Sequence, residues 1–148
     1  MLMPLKSRLS QTDAAYLAGL IDGDGHIGLH LRRTNHSRLG YTFQPRVEIA
    51  SVNEEFLRTI RRLIGTGCWK TRNRGFKSHR PVFHLTITAG TIRWMLPLLV
   101  PHLRLKREQA LCVLEHLTLV KKGRHGHNPR SEELYKRMKL LNLRGRDL

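Results

Sequence analysis

Apolar residues recur along this chain in two rhythms, and the points where one gives way to the other predict its elements. From Asp13 to Asp22, Leu17, Leu20 and Ile21 share a helical face, with Ser10, Thr12 and Asp13 available as caps. The period then drops to two. Ile27, Leu29 and Leu31 alternate with His26, Gly28, His30 and Arg32, as in a half-buried strand. After a loop from Thr34 to Gly40, a second strand from Tyr41 to Ala50 places Phe43, Val47 and Ile49 on one side. Thr42, Gln44, Arg46 and Glu48 take the other side, and Pro45 on the apolar side argues for an edge or a bulge. Asn53 caps a second helix whose stripe is Phe56, Leu57, Ile60, Leu63 and Ile64, stopped by Gly65-Thr66-Gly67. A third strand from Cys68 to Arg74 and a fourth from Val82 to Thr88 flank a basic turn. The rest is helical: Ala89 to Leu99, kinked or restarted by Pro97; Arg104 to Lys122; and a last helix capped by Ser131.

Helix, two strands, helix, two strands, then helices is an α+β order with antiparallel pairing. The apolar strand faces pack on helices, and the polar faces stay open. The length of 148 residues predicts one domain, with its core at about 12–142. A formal charge of +16 calls for a polyanionic partner, most simply nucleic acid. No apolar run reaches the roughly 18 residues of a membrane span, and the first residues lack a secretory apolar segment. Cys68 and Cys112 are too few for a disulfide framework. An intracellular setting is expected, bacterial cytoplasm and organelle being indistinguishable.

Alternation sends His26, His30, Arg32, Thr42, Gln44, Arg46, Glu48, Lys70, Arg72, Arg74, His84 and Thr86 to the open face. Arg and Lys donate to guanine, Gln pairs with adenine and Glu accepts from cytosine, so the mixture suits double-stranded DNA bases better than phosphates alone. Loop cations such as Arg33, Arg38, Lys77 and Arg80 suit phosphates. His125-Gly126-His127 lacks a second ligand pair and suits a phosphate rather than a metal.

The first helix ends in Leu17-Ala18-Gly19-Leu20-Ile21-Asp22-Gly23-Asp24-Gly25. Ala18 and Gly19 leave room for another backbone. A carboxylate at a helix C-terminus is disfavoured by roughly 0.3–1 kcal/mol, a sign that a bound cation reverses. This stretch resembles the signature of the LAGLIDADG homing endonucleases, with Gly23 in place of the second alanine. The resemblance implies an αββαββα core with a C-terminal helix, its sheet forming a saddle for DNA. It also implies a homodimer joined along this helix through Leu17, Ala18, Gly19 and Ile21, with Mg²⁺ as cofactor, Mn²⁺ substituting and Ca²⁺ non-catalytic. The expected activity is cutting a long, near-palindromic duplex site to leave 3′ overhangs, in a protein encoded by a mobile intron or intein.

By the same resemblance Asp24 is the metal-binding catalytic acid, and the Gly23 carbonyl helps to hold metal. Asp22 orders the helix end. Lys106, in Leu103-Arg104-Leu105-Lys106 followed by Gln109-Ala110, matches the family's late basic residue, placed to stabilise phosphate or shape the water network. Ser51 matches a polar residue at the end of the second strand. Some relatives add an Arg after that strand. Here the segment from Ser51 to Glu55 is acidic, so that role is absent or falls to Arg46 or Arg72. Two alternatives on the same scaffold are an RNA maturase, whose partner is RNA, and a non-catalytic DNA-binding regulator.

Overall fold

The computed structural model describes residues 8–72, 80–120 and 128–143. Helix α1 (Gln11–Asp24) starts where the Ser10 hydroxyl accepts from the Asp13 N–H at 3.0 Å. It runs directly into strand β1 (Gly25–Arg33) with no intervening loop. That junction requires Gly25, because a Cβ there would lie 2.7 Å from the Cα of Ile21. Strand β2 (Tyr41–Ser51), helix α2 (Glu54–Ile64), strands β3 (Cys68–Arg72) and β4 (Val82–Ile87), and helix α3 (Ala89–Leu99) follow. After a 3-10 turn at Val100–His102 come α4 (Arg107–Leu119) and α5 (Pro129–Leu141).

The four strands form one antiparallel sheet in the order β1-β2-β4-β3. Its register sets Ile27 opposite Val47 and Val47 opposite Ile87, so their side chains share a face. These residues, with Ile49 and Leu85, are fully buried under α1, α2 and α3, against Leu17, Ile21, Leu57, Ile92, Met95 and Leu96. The α+β reading therefore holds. Apolar alternation chose the buried face, as burial of each such side chain is worth roughly 1.5–3 kcal/mol.

Several boundaries differ from the sequence expectation. Helix α1 is longer at both ends, reaching Asp24 itself. Pro97 lies inside α3 without ending it. Helix α4 begins at Arg107 rather than Arg104, because the preceding residues bind Asp22. Asn128, not Ser131, caps α5; its side chain accepts from the Arg130 N–H, while Ser131 is buried against His116. Pro45 lies in central strand β2, but β4 pairs only with Val47 to Ser51, so the proline occupies the overhang where no donor is needed on that side. Among the described residues no helix is long and apolar enough to cross a membrane.

Candidate functional site

The C-terminus of α1 opens into a cleft of about 870 Å³ bounded by Asp22, Gly23, Asp24, Lys106, Gln109 and Asn142, among others. The two acids have separate fates. The carboxylate of Asp22 accepts from the backbone N–H groups of Arg104 at 2.8 Å and Lys106 at 3.0 Å. Burial alone would raise its pKa, but the N–H groups of Arg104, Lys106 and Leu105, with the Lys106 ammonium, together hold it below the usual carboxylate value. Lys106 Nζ also donates to the Asp22 carbonyl at 2.6 Å, placing a cation at the negative end of the helix. Asp22 thus fastens α1 to the entry of α4. Asp24, two residues on, is exposed, and among the described residues no hydrogen bond or ion pair holds its carboxylate.

Gly23 is exposed beside it. Ser51 ends β2, and its hydroxyl accepts from the Asn53 N–H at 3.0 Å, which sets the turn into α2. Among the described residues no three His, Cys, Asp or Glu side chains stand together as a metal cage. The donors on offer are the Asp24 carboxylate and the Gly23 carbonyl, hard oxygens that suit Mg²⁺ or Ca²⁺ but are too few in one chain.

The register brings the expected reading face together. His26 opposes Glu48, His30 opposes Gln44, and Arg32 opposes Thr42. Glu48 opposes Thr86, and Lys70 opposes His84. Arg72 opposes Val82, while Arg74, Lys77 and the segment from His125 to His127 lie outside the described residues. Two features of this face were not visible in the alternation. First, Glu48 is engaged: His84 Nδ1 lies 2.8 Å from one oxygen, and the Thr86 hydroxyl donates to the other at 3.4 Å. Burial raises its pKa, yet the His84 contact, with Arg46 and Thr86, brings it below the ordinary value.

Second, Gly28 opposes Arg46, and the rings of His26 and His30 close over that glycine with centroids 5.5 Å apart. Burial, then the Arg46 and His26 charges, lower the His30 pKa against a smaller opposing effect of Glu48. His30 Nε2 and Arg46 Nε are buried without a hydrogen-bond partner among the described residues, a state that costs folding free energy.

The expected dimer seam needs correction. Leu17, Ala18 and Ile21 are 0% exposed within this single chain, because they form its own core. Of the four residues named for the seam only Gly19 is exposed. The outward stripe of α1 is Thr12, Ala15, Tyr16, Gly19 and Gly23, with Tyr16 52% exposed. Gln109 entered the sequence reading only as context for Lys106, in the pair Gln109-Ala110, and Asn142 was not singled out.

Helices on one side of an antiparallel sheet, a polar and basic face on the other and an acidic helix tip at its margin define an α+β scaffold. The chain belongs to the LAGLIDADG endonuclease family, whose sequence profile matches residues 17–92. Among solved structures, the homing endonuclease I-CvuI in complex with the I-CreI target in the presence of Mg superposes with a TM-score of 0.62 at 22% identity, covering 90% of this chain and 97% of that one. I-CvuI with its own target in the presence of Ca gives 0.61 at 21%, covering 88% and 95%. The LAGLIDADG homing endonuclease I-SmaMI bound to cleaved DNA gives 0.69 at 18%, covering 90% of this chain but only 45% of that one. No curated protein sequence matches the chain.

Proposed function

We propose that this protein is a homodimeric, Mg²⁺-dependent, site-specific DNA endonuclease that cuts both strands of a long near-palindromic duplex, leaving 3′ overhangs, and that it is encoded within a mobile intron or intein. The observation that carries this reading is the division of labour at the end of α1. Asp22 is committed to backbone, while Asp24 has no hydrogen bond or ion pair among the described residues and lies in a cleft beside a basic sheet. An exposed carboxylate at a helix C-terminus meets the negative end of the helix dipole, and a cation-binding task accounts for its presence.

One chain supplies one such acid, and a duplex has two strands. Two copies meeting along Thr12, Ala15, Tyr16, Gly19 and Gly23 of α1 would bring two Asp24 side chains to one place. Ala15, Gly19 and Gly23 in that stripe permit close helix approach beside the exposed Tyr16, and the chain-length relation to I-SmaMI, in which this chain spans 45% of the relative, supports the two-unit reading. Asp24 and the Gly23 carbonyl are the groups that would hold Mg²⁺, which when bound would supply an activated water and offset charge developing on the phosphate. Lys106 fixes the α1 terminus through the Asp22 carbonyl and brings positive charge to the cleft. Ser51 shapes the turn at the adjoining strand end. The sheet selects sequence through His26, His30, Arg32, Thr42, Gln44, Arg46, Lys70, Arg72, Arg74 and His84, while Glu48 orients His84 and Thr86, expected on the reading face, is buried with its hydroxyl on Glu48.

The test is selection of bound duplexes from a randomised library, followed by incubation with Mg²⁺. Wild type cuts both strands, and Asp24→Asn binds the same duplex without cutting. Cutting by Asp24→Asn at the wild-type rate overturns the assignment. Specific binding with no cutting by wild type favours the DNA-binding regulator, and activity in a splicing assay without DNA cutting favours the maturase.

A further inference from the structure

Asn142, at the C-terminal cap of α5, reaches across to the sheet. Its Nδ2 donates to the Ile27 carbonyl of β1 at 3.0 Å. Its Oδ1 lies 3.4 Å from Gln109 Nε2, which also donates to the Leu141 carbonyl at 3.3 Å. Gln109 sits in the first turn of α4 and is only 7% exposed. Both side chains line the cleft that holds Asp24.

Two segments distant in sequence, 104–109 and 141–142, therefore converge on residues 22–27. On the α1 side, Asp22 grips the backbone of Arg104 and Lys106, just before α4. On the β1 side, Asn142 grips Ile27, three residues after Asp24. Gln109, three residues after Lys106, joins the two grips. Among the described residues β1 is an edge strand, with no neighbouring strand on its outer side to hold the Ile27 carbonyl. The Asp24 turn would otherwise be braced on one side only.

We propose that Gln109 and Asn142 are positioning residues for Asp24, acting through the backbone of β1 and making the end of α5 part of the catalytic apparatus. The idea rests on the cleavage reading above. It requires no contact of either amide with DNA or metal. Misplacing a reacting group by about 1 Å costs on the order of 100-fold in rate, so a small release of β1 is enough to be measured.

The test uses the full chain with Asn142→Ala, Gln109→Ala, the double variant and the isosteric Asn142→Asp, which keeps the volume but loses the donor to Ile27. Single-turnover cleavage at saturating protein is compared with Kd for the same duplex without Mg²⁺, and with Tm. The expected result is a loss of about 10- to 100-fold in cleavage rate with Kd within about twofold of wild type. The double variant should lose no more than the worse single variant, as two links of one chain do.

Rates within about twofold of wild type in the single variants overturn the proposal, as do multiplicative losses in the double variant. A rise in Kd with a parallel fall in Tm that accounts for the rate loss also overturns it, since that marks a merely structural role. Should Asn142→Ala fail to fold, Asn142→Asp and Gln109→Ala carry the same comparison. Failure of wild type to cut any selected duplex would instead count against the cleavage reading itself, a different outcome from normal cutting by the variants.

Discussion

Asp22 and Asp24 stand two residues apart in the same signature, yet they should respond oppositely to removal. Asp22→Ala deletes the acceptor of two backbone N–H groups at 2.8 and 3.0 Å. Hydrogen bonds to a charged group are worth about 1.5–3 kcal/mol each. The Arg104 contact is exposed and the Lys106 contact half-buried, so screening reduces the pair to about 2 kcal/mol in total. For a domain of this size that is a fall in Tm of about 4–8 °C. Asp24→Asn removes an exposed charge at the unfavourable end of a helix, so stability should stay within about 0.5 kcal/mol or rise slightly. Thermal unfolding followed by circular dichroism, repeated with urea, measures both. The pH dependence adds a check. Because the folded pKa of Asp22 is lowered, its stabilisation is present above its ordinary value of 3.8 and is lost as pH falls through the folded value. A Tm loss for Asp24→Asn equal to that of Asp22→Ala, or none for Asp22→Ala, would refute the assignment of separate tasks.

Three further outcomes follow from the same geometry. His116 is buried, its Nε2 donating to the Phe43 carbonyl at 3.1 Å and its Nδ1 accepting from the Ser131 hydroxyl at 2.9 Å; burial foremost, and Arg93 next, depress its pKa below 6.5 against the opposing pull of the Phe43 carbonyl. The urea midpoint should therefore fall as pH drops below about 6.5, and His116→Gln should flatten that slope. Gly28→Ala puts a Cβ 2.6 Å from His26 Nε2, the far end of a movable side chain, so the protein should fold normally and cut, but with an altered base preference in library selection. Gly25→Ala presses a Cβ against the Ile21 backbone at 2.7 Å, and should cost about 1–3 kcal/mol by overpacking as well as slow cleavage at a saturating protein concentration.

The strand pattern was legible because alternation and burial carry the same information: the buried partners Ile27, Val47, Ile49, Leu85 and Ile87 follow a period of two that the register preserves. The seam was misread because apolar residues on an amphipathic helix look alike whether they face their own sheet or a second copy. Leu17, Ala18 and Ile21 serve the first purpose. Asp22 and Asp24 differ through contacts 82 and 84 residues away, and Asn142 reaches Ile27 across 115. No local pattern encodes separations of that kind. The exclusion of Glu48 from free base contact likewise depends on His84, brought beside it only by the pairing of β2 with β4.

The central claim is that two chains contribute two acidic tips to one duplex. Sedimentation equilibrium of the protein with a selected, uncut duplex measures this directly. Two 17.2 kDa chains per duplex are expected, with Tyr16→Asp or Gly19→Asp reducing that number to one and abolishing double-strand cutting. A single chain on each duplex, cutting both strands in Mg²⁺, would contradict it.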